Sequence, residues 1–265
     1  MGSAATAMDV LYPAGSHRLA APDGITVAAL TDPETASGWL DTERPALVAV
    51  AAHAAAHGWS SHTARLSATL FQYLQGGHAT DALAIHEHAR HAARRADDPA
   101  AQAHALTSLG ATYTQLGRYG PANEHLQQAR ALFRRTGDQV GEARTLINIG
   151  VVESQLGRNR SAATSYREAL VLFRRAEHLA GEAHALNNLG EVEAHLGQSG
   201  LAVQHVQRSL MLFQRLGGRT GEAWTLQTLG DIETRLGRHR DAATTCGRPW
   251  PCTANSPTTP ARPGR

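Results

Sequence analysis

The sequence predicts an all-α chain, an α-solenoid of stacked antiparallel helix pairs, and three observations carry that prediction. Written in rows of forty, the chain aligns Gly110, Gly150, Gly190 and Gly230, then Gly117, Gly157, Gly197 and Gly237, then Ala122, Ala162, Ala202 and Ala242. A fixed period of this length is the mark of a repeat architecture. Between those marks, apolar residues fall at helical spacing, as in Leu146, Ile149, Val152 and Leu156, then Tyr166, Ala169, Leu170 and Phe173. The composition agrees, at 42% apolar and only 5% aromatic, with small and straight-chain residues that let helices approach closely.

Residues 1 to 31 read as a poorly ordered linker. The start, MGSAATAMDVLYP, has neither a basic lead nor an apolar stretch of signal-peptide length. No window offers the roughly 18 uninterrupted apolar residues of a membrane span, so a cytoplasmic chain without a membrane partner is expected. The two cysteines, Cys246 and Cys252, are too few for a disulfide framework and fit a reducing compartment. Residues 32 to 60 read as a leading helical segment, and residues 61 to 100 as a degenerate first repeat. There Gly77 and Ala82 keep the register, but Leu70 stands where the first glycine belongs.

Residues 101 to 248 hold the clear repeats. Gly157 sits where a first helix must stop, because glycine adopts the left-handed C-cap without steric cost. Gly150 and Ala162 lie where the two helices of a pair cross, and small side chains there allow axes to come within about 8 to 10 Å. Gly137 with Asp138, and Asp98 with Pro99, supply a stop and a fresh N-cap between pairs. Residues 249 to 265 are Pro-rich and expected to be disordered. Pro249 must end the last helix, since proline in a helix interior costs about 3 kcal/mol. The tail also reads as a frameshift: GC-rich codons for it, one base out of phase, give ALALHRELADHAGEAR, which continues the repeat. An array cut at that point would expose apolar surface and is expected to fray or self-associate.

The aligned Leu-Gly and small-residue marks resemble the tetratricopeptide repeat in an extended, forty-residue form. The aromatic usual after the first glycine survives only as Tyr113, with Glu153, Glu193 and Glu233 replacing it elsewhere. The segment LYPAGSHRLAAP with DPETASGWLDTERPALVAVAAHAAAHGW is similar to the region joining the nucleotide-binding module to the repeats in actinobacterial SARP/AfsR-like transcriptional regulators. Those proteins carry DNA-binding and ATPase modules ahead of this region, and neither activity carries over to this chain.

The resemblance implies a right-handed superhelix whose first helices line a concave groove. The groove positions are His104, Thr107 and Gln115; Arg144, Ile147 and Gln155; His184, Asn187, Glu191 and His195; and Trp224, Gln227, Asp231 and Arg235. That mixed polar face suits a peptide or an amphipathic helix, with Trp224 as anchor. The competing reading is a solvated inner face with Trp224 packed on its neighbour. Asn148 and Asn188 alone hint at the family's clamp for a terminal carboxylate.

Other features argue for structure over chemistry. Arg94 and Arg95, Arg134 and Arg135, and Arg174 and Arg175 close second helices, while Glu142, Glu182 and Glu222 open first helices, as the helix dipole favours. His86, His88 and His91 point about 200° and 300° apart on a helix and cannot converge on a metal. His53 and His57 share a face but lack a third ligand. Cys246 takes a core position.

All 25 basic residues are arginine, which removes Schiff-base lysine and P-loop chemistry, and a net charge of +2 gives no field for nucleic acid. No phosphate loop, nucleophile elbow or HExxH pattern occurs. The expectation is a non-enzymatic interaction scaffold or sensor of a regulator that takes a protein or peptide partner, without cofactor or metal. A small-molecule sensor or a non-functional remnant are the alternatives.

Overall fold

The computed structural model describes residues 1–12 and 30–238. They form eleven helices and no strand: α1 (Gly2–Leu11), α2 (Pro33–Ala56), α3 (Ser60–Leu74), α4 (Ala79–Arg95), α5 (Pro99–Gln115), α6 (Tyr119–Thr136), α7 (Gln139–Gln155), α8 (Asn159–Arg175), α9 (Leu179–His195), α10 (Ser199–Leu216) and α11 (Arg219–Arg235). The tail at 249–265, Cys246, Cys252 and the expected failure of the last helix at Pro249 all lie outside the described residues.

The breaks between helices are encoded locally. Within a pair the chain turns at a glycine of positive φ, +74° at Gly157. Between pairs the same left-handed position is Gly137, at +75°. In two other junctions, however, it is Asp97 and Glu177, at +51° and +52°. Asp98 and Asp138 then cap the next first helix, accepting from the backbone N–H of Ala101 at 2.9 Å and of Gly141 at 2.8 Å. His178 does the same work with its ring, Nδ1 accepting from Gly181 N–H at 2.9 Å.

Each pair is held by a side chain laid where a Cβ would be. Leu126, Tyr166 and Val206 rest on the bare backbone of Gly110, Gly150 and Gly190. Between pairs, Phe133, Phe173 and Phe213 rest in the same way on Gly141, Gly181 and Gly221. Phe133 and Phe173 are almost wholly buried, a gain of about 1.5 to 3 kcal/mol for each ring withdrawn from water. The glycines of both rows are therefore contact residues, and larger side chains would push the helices apart.

The linker expected over residues 1 to 31 is corrected at its start. Residues 2–11 form α1, whose Ala4, Ala7 and Met8 are buried in one core with Leu40, Leu47 and Leu66. Alanine-rich sequence has high helix propensity, and the small side chains let α1 lie close on its neighbours. Asp32 caps α2 through Thr35 N–H at 2.9 Å, with Pro33 in the first turn. A polar knot joins α2 to the first repeat: Arg44 donates to the Tyr73 hydroxyl at 2.9 Å and pairs with Asp81 at 2.9 Å, while Tyr73 donates to Asp41 at 2.6 Å. Burial and the Asp41 bond push the Tyr73 hydroxyl up to about 12.

The contact pattern sets the curvature. From α5 onward the first helices α5, α7, α9 and α11 touch one another in sequence, whereas α6, α8 and α10 touch only first helices; at the N-terminal end α2 and α4 also touch. Rods that meet on one side and splay on the other make an array concave on the meeting side, so the first helices line the inner face.

Candidate functional site

The inner face is assembled from one row per turn of each first helix. His104, Arg144 and His184 are exposed at the same register on α5, α7 and α9, and Trp224 follows, half-buried, on α11. His184 sits edge-on to Phe213 with centroids 5.0 Å apart and leans on Trp224 at 5.6 Å. His104 makes the matching edge contact with Phe133 at 4.9 Å. Burial lowers the pKa of both histidines; at His104 the Asp138 carboxylate opposes the shift and Arg144 adds to it, and at His184 Arg144 and His178 add to it. Trp224 is thus both packed on a neighbour and partly open to the groove.

The other expected groove residues divide into exposed and buried. Gln155, Glu191, His195, Gln227, Asp231 and Arg235 are exposed. His195 and Arg235, forty residues apart, are in contact, with Arg235 Nη1 3.1 Å from His195 Nδ1. Gln115 reaches back to the Gln75 carbonyl oxygen at 3.3 Å. Thr107 is half-buried and hydrogen-bonded to Thr145 Oγ1 at 3.0 Å. Asn187 departs from the expected pattern: it is fully buried in the seam between α9 and α11, its Nδ2 donating to Thr228 Oγ1 at 3.2 Å. Its Oδ1 is buried without a partner. Asn188 is buried as well.

Charges that sequence reading assigned to helix ends prove to be joined across the turns. Arg134 pairs with Glu142 at 3.7 Å and Arg174 with Glu182 at 3.0 Å. The glutamates found in place of the repeat's aromatic have their own role. Glu193 is 1% exposed and holds Arg167 of α8 at 2.8 Å and His205 of α10 at 2.7 Å, tying three helices. At the equivalent place Tyr113 stacks on His125 at 5.4 Å. A buried carboxylate is stable only when paired in this way.

The histidine clusters separate. His86 is buried in the core, its Nδ1 2.7 Å from Ser67 Oγ and its Nε2 without a partner. It fills the place that Leu126 and Tyr166 take in later pairs. His53 and His57 stack at 3.9 Å beside the exposed Trp59, and His53 and Trp59 border an apolar hollow of about 510 Å³ lined also by Met1, Val50, Ala54 and Leu66. Among the described residues no three His, Cys, Asp or Glu side chains gather as metal ligands. No helix among them is long and apolar enough to cross a membrane.

With this geometry in view, comparison with known proteins is informative. A family model for the tetratricopeptide repeat matches residues 122–175 and 181–245, and a second model of the same description matches 102–136. Together they span just over half of the 265 residues. No curated protein matches the chain.

Among solved structures, BtubC from P. vanneervenii is 20% identical with a TM-score of 0.63, over 80% of this chain and 96% of its own. A Rap protein complexed with Competence and Sporulation Factor is 16% identical with a TM-score of 0.62, over 69% of this chain and 52% of its own. The Rap conjugation gene regulator of plasmid pLS20, in complex with the Phr* peptide, is 15% identical with a TM-score of 0.59, over 69% and 51%. This chain therefore spans about half the length of either Rap protein. Identities this low establish the fold that these proteins share.

Proposed function

From the premise that the chain belongs to the tetratricopeptide repeat family, we propose that its inner face seats a peptide, or a peptide-like segment of a partner protein. In this reading the chain is a scaffold or sensor module with no catalysis of its own. The observation that carries it is the unbroken row of exposed polar side chains on α5, α7, α9 and α11, ending on the half-open ring of Trp224. Such a face offers many hydrogen-bonding groups and one large amphipathic anchor, the mix found at peptide-binding hot spots. Two structural neighbours support it, since each is a complex, one with Competence and Sporulation Factor and one with the Phr* peptide.

We further read the module as part of a cytoplasmic regulator, on the likeness of residues before the repeats to the regulator segment described above. The test is selection of binding peptides from a random-peptide phage library, followed by calorimetry on wild-type and Trp224→Ala chains. The expected result is saturable binding that the substitution weakens about thirtyfold, the loss typical of a Trp anchor. Absence of peptide binding, or binding indifferent to Trp224→Ala, overturns the proposal.

A further inference from the structure

The turn into α9 differs from the turn into α7 by a change of charge. Ahead of α7, Asp138 accepts from Gly141 N–H at 2.8 Å with one carboxylate oxygen, and its other oxygen lies 3.9 Å from Nε2 of His104 on the inner face. Forty residues on, His178 takes the place of Asp138 and Arg144 the place of His104. The local geometry is matched, since His178 Nδ1 accepts from Gly181 N–H at 2.9 Å. Phe173 also rests on Gly181 as Phe133 rests on Gly141. An imidazole that accepts at Nδ1 carries its proton on Nε2, so the position that offers His104 a carboxylate offers Arg144 an N–H donor.

Arg144 is left without an acid. It is exposed on α7 and takes part in no ion pair among the described residues. The glutamates that open α7 and α9 are already engaged, Glu142 by Arg130 and Arg134 and Glu182 by Arg174. On the next first helix the same register is His184, its ring fixed by Phe213 at 5.0 Å and Trp224 at 5.6 Å. Arg144 and His178 both lower the pKa of His184, so both lie within electrostatic reach of its ring, and no carboxylate offsets them. At His104, by contrast, Asp138 and Asp98 do offset Arg144. A guanidinium with donor rings beside it and no anion is complementary to a carboxylate.

Resting on the proposed peptide groove, we infer that the α7–α9 stretch of the inner face is a receptor for an acidic side chain, aspartate or glutamate, of the bound peptide. Arg144 supplies the charge and a planar fork that takes a carboxylate through two parallel N–H bonds. His178 and His184 supply further N–H donors from the α9 side. The row continues past Arg144 in both directions, to His104 and to Trp224, so the peptide runs through this point and meets it with a side chain, not with its terminus. Asn188, one of the two hints of a clamp for a terminal carboxylate, is buried.

The experiment uses the full chain, the same phage library and two variants checked by circular dichroism. Arg144→Gln removes the charge at an exposed position, and His178→Asp keeps a helix cap, as Asp138 does, while restoring the missing acid. Peptides selected on the wild type should carry aspartate or glutamate. In the tightest of them, replacing that residue by its amide should weaken binding roughly tenfold for the wild type, and hardly at all for either variant. Amidation of the peptide C-terminus should leave its affinity unchanged. Selected peptides without an acidic residue, an equal amide penalty on all three chains, or a loss of binding on C-terminal amidation overturn the inference. If those peptides still depend on Trp224, the groove reading survives alone; if no peptide binds, both fall.

Discussion

At the scale of single residues, the core of the degenerate first repeat contains one polar group left unsatisfied. His86 is buried with Nε2 unsatisfied, and burial lowers its pKa from 6.5 to about 4. A folded state that resists protonation binds fewer protons than the unfolded chain once pH falls below 6.5. Stability is therefore complete above that value and is lost as pH drops toward 4. Between pH 7 and pH 5 the loss from this residue is about 2 kcal/mol. In a Ser67→Ala/His86→Leu variant, leucine fills the place as Leu126 does, and urea unfolding at the two pH values should show that much less acid sensitivity. An unchanged pH dependence would place the effect elsewhere.

Sequence reading found His86 only as a failed metal ligand, because its helical angle says where it points and not what surrounds it. The same limit hid Asn187: register puts it on the groove row, but the seam between α9 and α11 closes over it. Glu193 stood out as a replacement for an aromatic, while its partners Arg167 and His205, on two other helices, could not be read from a single row of the repeat.

Among elements, the legible ones were those whose cause is local. The turns at Gly157, the caps at Asp98 and Asp138 and the crossing at Gly150 follow from spacing and residue type, and the structure places them accordingly. Helix α1 was missed because its alanines give no apolar period, and its order comes from packing on α2 and α3. The row Gly141, Gly181 and Gly221 was also silent, since its reason is a phenylalanine on the preceding helix.

The junction before α9 carries a correctable flaw. Glu177 takes the left-handed conformation that glycine takes at Gly137 and Gly217. For a residue with a Cβ that conformation costs about 1 to 2 kcal/mol, partly offset by the greater freedom that glycine adds to the unfolded chain. Glu177→Gly should raise the stability of the α8–α9 junction by about 0.5 to 1 kcal/mol, read as a higher urea midpoint with an unchanged slope. A lower midpoint would mean that the glutamate stem contributes packing that outweighs the strain.

For the whole molecule, stacking makes the site. No single helix pair encloses a groove; the face exists because first helices touch their successors and most second helices do not touch one another. The rows His104 to Trp224 and Gln115 to Arg235 are continuous only in that arrangement. The most direct measurement is hydrogen exchange of the full chain with and without its tightest library-selected peptide. The account predicts added protection on the first helices, strongest on α9 and α11, with α6, α8 and α10 unchanged. Protection concentrated on the second helices would contradict it.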